Sequence, residues 1–237
     1  MWNDFESKEF TFAERKAVIV YPKCKPNGRM LLKTEYLSAF PGFDIAMLEK
    51  GYHLIHIYHR NRWAPDEEIH IMADFIRYCA KELQADERCI LEGMSAGGMQ
   101  AVRLAGMYPE LVAAIYLDAP VMNVLSILGY GDGKATGQDE RWLELVSAFG
   151  LTRSSVLSFR KNPIDYMDVL LAHDIPVIIL YGNRDTTVVY NENGKLLADY
   201  YKENNGTICV IEKSMCEHHP HGLDDPTPII SFIEKNL

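Results

Sequence analysis

Residues 90–98 read Ile-Leu-Glu-Gly-Met-Ser-Ala-Gly-Gly, and the fold is inferred outward from this stretch. An apolar run leads into a Gly-x-Ser-x-Gly pattern, and a segment of helical character follows it. That order predicts a nucleophile elbow, the tight turn between a strand and a helix that carries a reactive serine. Because the serine backbone is strained in such a turn, the positions two before and two after it need almost no side chain, and Gly93 and Gly97 meet this need. The stretch therefore predicts that Ser95 is a nucleophile.

The same turn predicts half of an oxyanion hole. In an elbow, the backbone N–H after the serine, here Ala96, and the N-terminus of the next helix face the place where an oxyanion forms. A second backbone N–H is needed, and we expect it from the loop after the apolar run at residues 17–21, around Lys23 and Cys24.

Length, charge and cysteine content limit the class of protein. The 237 residues suit one α/β domain over residues 1–237. A net charge of -9 without a block of like charges argues against nucleic acid and membrane surfaces as partners. No apolar run approaches the ~20 residues that span a bilayer, and the acidic N-terminus does not resemble a signal peptide. The five scattered cysteines form no Cys-x-x-Cys pair, which favours reduced thiols and a cytoplasmic location.

Short apolar runs alternate with helix-like segments along the chain, which predicts a mostly parallel sheet with helices on both faces. The runs expected as strands are residues 17–21, 52–58, 88–91, 113–117, 175–181 and 207–211. Residues 30–49 are expected to be helical at both ends and broken at Pro41-Gly42. The regular pattern lapses over approximately residues 121–167, including a flexible loop at 129–133, and resumes afterwards. We therefore expect a lid-like insertion there rather than a second domain.

Reactive groups follow three of these strands in the order serine, acid, histidine. Ser95 follows the strand at 88–91, Asp185 the strand at 175–181, and the histidine cluster at 218–221 the strand at 207–211. Sites form at the carboxyl ends of parallel strands. A serine hydroxyl needs a histidine to take its proton, and an acid must orient that histidine. We therefore predict a triad of Ser95, Asp185 and His218.

Alternatives remain open for the acid and for the base. Asp118, at another strand end, competes with Asp185, whereas Glu192 is interpreted as an acid that compensates a helix dipole. His221, and after it His219, are the alternatives to His218.

Other histidines and aromatic residues are assigned to the pocket or to the core. The pocket-lining candidates are His59, Trp63, Tyr130 and Trp142. No metal site and no cofactor are expected, because no carboxylate or cysteine completes a ligand set around residues 218–221.

Three segments resemble the α/β-hydrolase superfamily. They are residues 43–53 (FDIAMLEKGYH), residues 93–95 (GMS) with 118–121 (DAPV), and residues 218–223 (HHPHGL) with 225–228 (DPTP). Within that superfamily the chain is similar to bacterial hydrolases of the prolyl-oligopeptidase-like and carbohydrate esterase groups. The resemblance covers nearly the whole length, and it implies the α/β-hydrolase fold with a mostly parallel central sheet.

The combined expectation is a serine esterase that needs no cofactor and acts on a small-molecule ester through an acyl-enzyme. The choice of small acyl esters, including acetylated carbohydrates, follows from the resemblance alone. A peptidase or amidase with the same triad is the first alternative. A hydrolase fold retained as a non-catalytic ligand-binding protein is the second. The sequence leaves the oligomeric state open, a homodimer included.

Overall fold

The computed structural model describes residues 1–131 and 138–237. Within these residues eight strands form one sheet in the order β1-β2-β4-β3-β5-β6-β7-β8. The strands are β1 (Ser7–Phe12), β2 (Arg15–Val20), β3 (Met30–Lys33), β4 (His53–Ile57), β5 (Cys89–Met94), β6 (Val112–Asp118), β7 (Val177–Gly182) and β8 (Ile208–Lys213). Strands β3 to β8 are mutually parallel, and β1 and β2 extend the sheet in antiparallel pairing. This topology confirms the predicted α/β-hydrolase fold.

Helices cover both faces of the sheet. The α-helices are α1 (Gly42–Glu49), α2 (Asp66–Leu83), α3 (Ala96–Met107), α4 (Val124–Ile127), α5 (Gln138–Phe149), α6 (Met167–Ala172), α7 (Gly194–Glu203) and α8 (Thr227–Lys235). Alternating strand residues bury their side chains in opposite directions. Leu32 and Leu91 pack in a core with α2, α3 and α7, and Leu31 and Ile90 pack in a second core with α1 and α8. The central strands are therefore apolar on both faces, as parallel strands with two helical layers require.

The structure corrects the expectation for residues 30–33. They form β3 at the centre of the sheet, between β4 and β5, rather than the start of a helix. The segment reads Met-Leu-Leu-Lys, four residues that favour helices, without the β-branched residues typical of strands. Burial between two neighbouring strands outweighs that local preference.

Strand direction decides which loops lie near Ser95. The carboxyl ends of β3 to β8 share one edge of the sheet, and β2 runs antiparallel to its neighbour β4. The loop after β2, with Lys23 and Cys24, therefore lies at the opposite edge. There the Cys24 thiol is 3.3 Å from the Glu49 carbonyl oxygen, at the far end of α1.

The irregular stretch predicted around residues 121–167 contains α4, α5 and two 3₁₀ helices, Ser155–Ser158 and Pro163–Tyr166. Helices α4 and α5 and the 3₁₀ helix Ser155–Ser158 share an apolar cluster with Trp63, Ala96 and Met99, which lie beside the elbow. Ile164 and Tyr166 of the other 3₁₀ helix pack instead against the core that contains Leu32 and Leu91. Part of the loop predicted at residues 129–133 lies outside the described residues. Movement of the insertion as a lid stays a prediction.

Two further findings concern the whole of residues 1–131 and 138–237. No helix among them has the length and the apolar character needed to cross a bilayer. The five cysteines are all free.

Candidate active site

Ser95 lies in the predicted turn between β5 and α3. Its backbone has φ 51° and ψ −118°, a strained conformation for a residue with a side chain. The surrounding glycines are needed for space, since a Cβ on Gly93 would lie 2.7 Å from the Gly97 carbonyl oxygen. A Cβ on Gly98 would lie 2.4 Å from Cβ of Pro120. The elbow is therefore too tight for larger residues, as the sequence pattern predicted.

The structure brings together the three side chains that were predicted as a triad. His218 Nε2 lies 3.0 Å from Ser95 Oγ, and His218 Nδ1 lies 2.7 Å from Asp185 Oδ2. The other oxygen of Asp185 accepts the backbone N–H groups of Thr187 and Val188 at 2.7 and 2.9 Å. Because a carboxylate can only accept, His218 carries its proton on Nδ1 and offers the Nε2 lone pair to the serine hydroxyl. This is the arrangement in which a histidine can take a proton from a serine.

Asp118, the rival acid, pairs with a different histidine. Its Oδ1 accepts the Nδ1–H of His221 at 2.9 Å, and its Oδ2 accepts the backbone N–H of Gly222 at 2.6 Å. Lys213 Nζ lies 3.3 Å from the same carboxylate. Burial raises the pKa of Asp118, but the hydrogen bond and charge of His221 and the charge of Lys213 outweigh burial and hold that pKa below its ordinary value. Asp118 is therefore an ionised, fully buried partner of His221.

The three clustered histidines have different environments. The ring centroids of His218, His219 and His221 lie 4.8–5.0 Å from one another. His218 and His221 are buried, whereas His219 is exposed and stacks on the Phe40 ring at 5.7 Å. Burial, together with the charges of the other two histidines, lowers the pKa of His219.

Of the two backbone donors predicted for the oxyanion hole, the structure agrees with one. Ala96 lines the cavity and opens α3, so its backbone N–H has no acceptor within the helix. Lys23 and Cys24 are wrong as the second donor, because the antiparallel direction of β2 carries them to the opposite edge of the sheet. A loop that does contact the elbow is residues 34–36, which follows β3. Thr34 Oγ1 donates to the Gly97 carbonyl oxygen at 2.8 Å.

His59, predicted to line the pocket, lies behind the 34–36 loop instead. Its Nε2 is 3.2 Å from the Thr34 carbonyl oxygen, and its Nδ1 is 3.4 Å from Glu68 Oε2. Arg15 binds the same carboxylate through its guanidinium at 2.8 Å. Burial raises the pKa of Glu68, but hydrogen bonds from His59 and Arg15 outweigh burial and lower that pKa to about 2. The prediction for His59 is corrected, since this ionised network holds the loop rather than facing substrate.

A cavity of about 410 Å³ opens over Ser95. Its described lining residues are Tyr36, Ala39, Phe40, Arg62, Trp63, Met94, Ser95, Ala96, Val121, Ile127, Glu140, Arg141, Thr187, Val188, His218, His219 and His221. Trp63 is thus placed as predicted. Tyr130 and Trp142, both in the described part of the chain, are not among these residues. Trp142 instead lies under Arg153, whose Cζ is 5.2 Å from the centroid of the tryptophan ring. Tyr130 is exposed.

Charged residues on the cavity wall were missed by sequence reasoning. Arg62 binds Glu144 of α5 with two nitrogens, at 2.8 and 2.9 Å, and the Trp63 indole N–H donates to the same carboxylate at 2.6 Å. This contact fastens the insertion to the body beside the site. Burial and the charge of Arg62 lower the pKa of Arg141, although a guanidinium stays protonated near neutral pH. The 61–63 segment carried no pattern beyond its tryptophan, so nothing in the sequence marked the arginines.

The fold and the Ser95–His218–Asp185 geometry define the class as a protein with the α/β-hydrolase fold and a serine-hydrolase arrangement. Residues 62–227 match the prolyl oligopeptidase family, and this region is more than half of the chain. The chain therefore belongs to the prolyl oligopeptidase family, a family of serine hydrolases. The match confirms the prolyl-oligopeptidase resemblance and lends no support to a carbohydrate esterase. No curated protein matches the sequence.

Solved structures with a similar fold are distant in sequence. An acylaminoacyl peptidase from Pyrococcus horikoshii aligns with a TM-score of 0.75 at 14% identity, over 98% of this chain and 42% of that one. A putative dipeptidyl aminopeptidase IV from Bacteroides ovatus aligns with a TM-score of 0.71 at 17% identity, over 99% and 36%. A puromycin-hydrolyzing peptidase from Mycobacterium tuberculosis aligns with a TM-score of 0.72 at 12% identity, over 97% and 38%. The chain thus spans less than half of each neighbour, and at these identities the likeness extends to the fold alone.

Proposed function

We propose that the protein is a serine hydrolase that cleaves the acyl bond of small peptide-type substrates through an acyl-enzyme. The observation that carries the proposal is the pair of hydrogen bonds that links Ser95 Oγ to His218 Nε2 and His218 Nδ1 to Asp185 Oδ2, at 3.0 and 2.7 Å. Ser95 and His218 line a cavity large enough for a small ligand, beside the N-terminus of α3, and Asp185 lies behind His218.

In the proposed reaction, Ser95 Oγ attacks the substrate carbonyl carbon while His218 Nε2 takes the hydroxyl proton. Asp185 keeps the ring oriented and stabilises the imidazolium that forms. The Ala96 N–H donates to the oxyanion, and we assign the second donor to the Tyr36 N–H, because Tyr36 lines the cavity in the loop that packs on the elbow. His218 then gives its proton to the leaving nitrogen or oxygen, and water releases the acid from Ser95 by the same steps in reverse.

A peptide-type substrate is preferred to the small ester that the sequence first favoured. Family membership supports the peptidase alternative, and the acylaminoacyl and puromycin-hydrolyzing peptidases are named for amide substrates. The cavity wall also combines apolar groups with charged ones, Arg62, Arg141 and Glu140, which suits a ligand with ionised and hydrophobic parts. Such a mixed wall gives an acetylated sugar no particular advantage.

The remaining features proposed for the protein are a cytoplasmic location, a small-molecule substrate and independence of any cofactor. The free cysteines support the cytoplasmic location. The net charge of -9 argues against a nucleic-acid partner. The serine mechanism uses groups that the chain itself supplies.

Labelling by a fluorophosphonate probe tests the nucleophile. The parent protein is expected to react, Ser95→Ala to lose the label, and Ser158→Ala, which changes an exposed serine, to keep it. Rates with matched p-nitroanilide and p-nitrophenyl ester substrates then distinguish peptidase from esterase. Equal labelling of Ser95→Ala and the parent would overturn the mechanism. Ester turnover without any amide turnover would return the assignment to an esterase, and a parent protein that does not react would favour a ligand-binding role.

A further inference from the structure

The histidine cluster over the elbow contains more than the proposed triad uses. His218, His219 and His221 each present one ring nitrogen, and the three nitrogens lie within 4.8 Å of one another. Tetrahedral zinc with Zn–N bonds of about 2.0–2.1 Å needs its ligand nitrogens about 3.4 Å apart. His219 is exposed, so its ring can close most of that difference by side-chain rotation.

Two of the three rings already have the orientation found in metal-bound histidines. A ligating histidine usually donates its second N–H to a carboxylate, which fixes the tautomer and makes the free nitrogen more basic. His218 donates Nδ1–H to Asp185 at 2.7 Å, and His221 donates Nδ1–H to Asp118 at 2.9 Å. In both rings Nε2 therefore carries the lone pair, on the side away from the carboxylate, and in His218 that lone pair faces Ser95 Oγ at 3.0 Å. The triad explains the first of these pairs and gives no reason for the second.

We propose that His218, His219 and His221 form a binding site for a divalent transition-metal ion such as Zn²⁺, and that the bound ion shuts off the hydrolase site. Three histidines with a fourth position left to water or to Ser95 Oγ are a complete ligand set for an open zinc site. Such a site therefore needs no carboxylate or cysteine ligand, the group whose absence led us to expect no metal from the sequence. Imidazole ligands favour Zn²⁺, Cu²⁺ and Ni²⁺ over Mg²⁺ and Ca²⁺.

Inhibition follows because the metal ion and the Ser95 proton need the same lone pair, that of His218 Nε2. When His218 Nε2 coordinates the ion, that nitrogen cannot accept the Ser95 proton, and the 3.0 Å hydrogen bond between them is lost. The ion also occupies the space above the serine. Metal binding is independent of the proposed function, whereas the inhibition rests on it, so the two are measured separately.

Zn²⁺ binding is measured by competition with a chromophoric chelator, using protein whose affinity tag has been removed. The expected result is one Zn²⁺ per chain, with affinity lowered at least about tenfold in His219→Ala and in His221→Ala. Asp118→Asn is expected to lower it about 10- to 100-fold, because it removes the carboxylate that orients His221. His173→Ala, which removes an exposed histidine elsewhere, is the matched control and should bind Zn²⁺ as the parent does.

Inhibition is measured as the Zn²⁺ concentration that halves the rate of fluorophosphonate labelling, each variant being compared with its own metal-free rate. This concentration should rise in His219→Ala by the same factor as the loss of affinity, and Mg²⁺ should have no effect. Unchanged Zn²⁺ affinity in both His219→Ala and His221→Ala would overturn the site. So would an equal loss in Cys216→Ser, whose thiol lies 3.6 Å from the His219 carbonyl oxygen. A parent protein that binds one Zn²⁺ but never labels would leave the site standing and refute the hydrolase.

Discussion

His218 donates its Nδ1–H to Asp185 at 2.7 Å, and 5.0 Å away the His221 ring makes the same kind of bond with Asp118. Two histidine–aspartate pairs thus lie side by side. Asp118 ends β6 and Asp185 follows the neighbouring strand β7, while both histidines lie in the loop after β8. The described structure links just one of them to the serine, since His218 Nε2 is the nitrogen within hydrogen-bond distance of Ser95 Oγ. The pairs should therefore respond differently when the acid is changed.

Asp185→Asn is expected to lower kcat about 10³- to 10⁴-fold with little change in melting temperature. An asparagine amide can donate to Nδ1 and so favour the wrong tautomer of His218. Asp118→Asn should lower kcat about tenfold or less but reduce stability by about 1–3 kcal/mol, because His221 and Lys213 lose a buried partner. Steady-state kinetics and thermal unfolding of both variants test this. A deeper kcat loss in Asp118→Asn would reverse the assignment of the acid.

Single alanine substitutions separate the roles of the three histidines. His218→Ala should lower kcat at least about 10³-fold, since it removes the group that takes the serine proton. His219→Ala and His221→Ala should each cost much less, because neither ring nitrogen is bonded to Ser95 in the described structure. The measurement is kcat for an amide substrate in metal-free buffer. Comparable losses in all three variants would show that the cluster acts as a unit.

The local pattern around Ser95 was enough to predict the elbow, because a tight strand-to-helix turn demands particular residue types within a few positions. The ordered strand ends were likewise enough to bring Asp185 and His218 to Ser95. The direction of β2 was not predictable, since an apolar run has the same composition whether it runs parallel or antiparallel. Lys23 and Cys24 were therefore assigned to the wrong edge of the sheet.

Contacts between distant segments were also beyond the sequence. β3 is a strand only because β4 and β5 flank it, and the loop after it could not be recognised while residues 30–33 were expected to be helical. The Asp118–His221 pair joins positions 103 residues apart. Nothing in the spacing of these two residues distinguished that pair from the rival pairing of Asp118 with His218.

Gly97→Ala should lower kcat strongly and lower the free energy of unfolding moderately. A Cβ there would lie 2.9 Å from Thr34 Oγ1 and 3.1 Å from Glu35 Cβ, so the 34–36 loop must move. Losing one oxyanion donor costs about 10²- to 10³-fold in kcat, and the crowding costs about 1–3 kcal/mol of unfolding free energy. Kinetics together with urea unfolding give both quantities.

The control for this prediction is Gly42→Ala, at the start of α1, where a Cβ would meet nothing within 4 Å. Gly42→Ala is expected to leave kcat unchanged and to keep or slightly raise stability. If Gly97→Ala behaved like Gly42→Ala in both measurements, the 34–36 loop would have no part in the oxyanion hole.

The stability of the protein should fall between pH 6.5 and pH 4 because of His56. Its Nδ1–H donates to the Lys33 carbonyl oxygen at 2.7 Å, and its Nε2 is buried without a partner among the described residues. Burial, the largest cause, lowers the pKa of His56 from 6.5 to about 4. As the pH falls, His56 is therefore protonated in the unfolded chain at a higher pH than in the folded protein. The contribution of neutral His56 to the free energy of unfolding is complete above pH 6.5 and is lost between pH 6.5 and pH 4. The shift corresponds to about 3 kcal/mol.

His56→Asn isolates that contribution, because the asparagine amide can still donate to the Lys33 carbonyl oxygen but does not titrate. Urea unfolding at a series of pH values should show the parent losing about 2–3 kcal/mol more than the variant between pH 7 and pH 4. The low pKa of Glu68, about 2, acts in a separate window below pH 4.5 and is common to both proteins, so it cancels in the comparison. Parallel stability curves for the two proteins would mean that His56 is not the group that titrates.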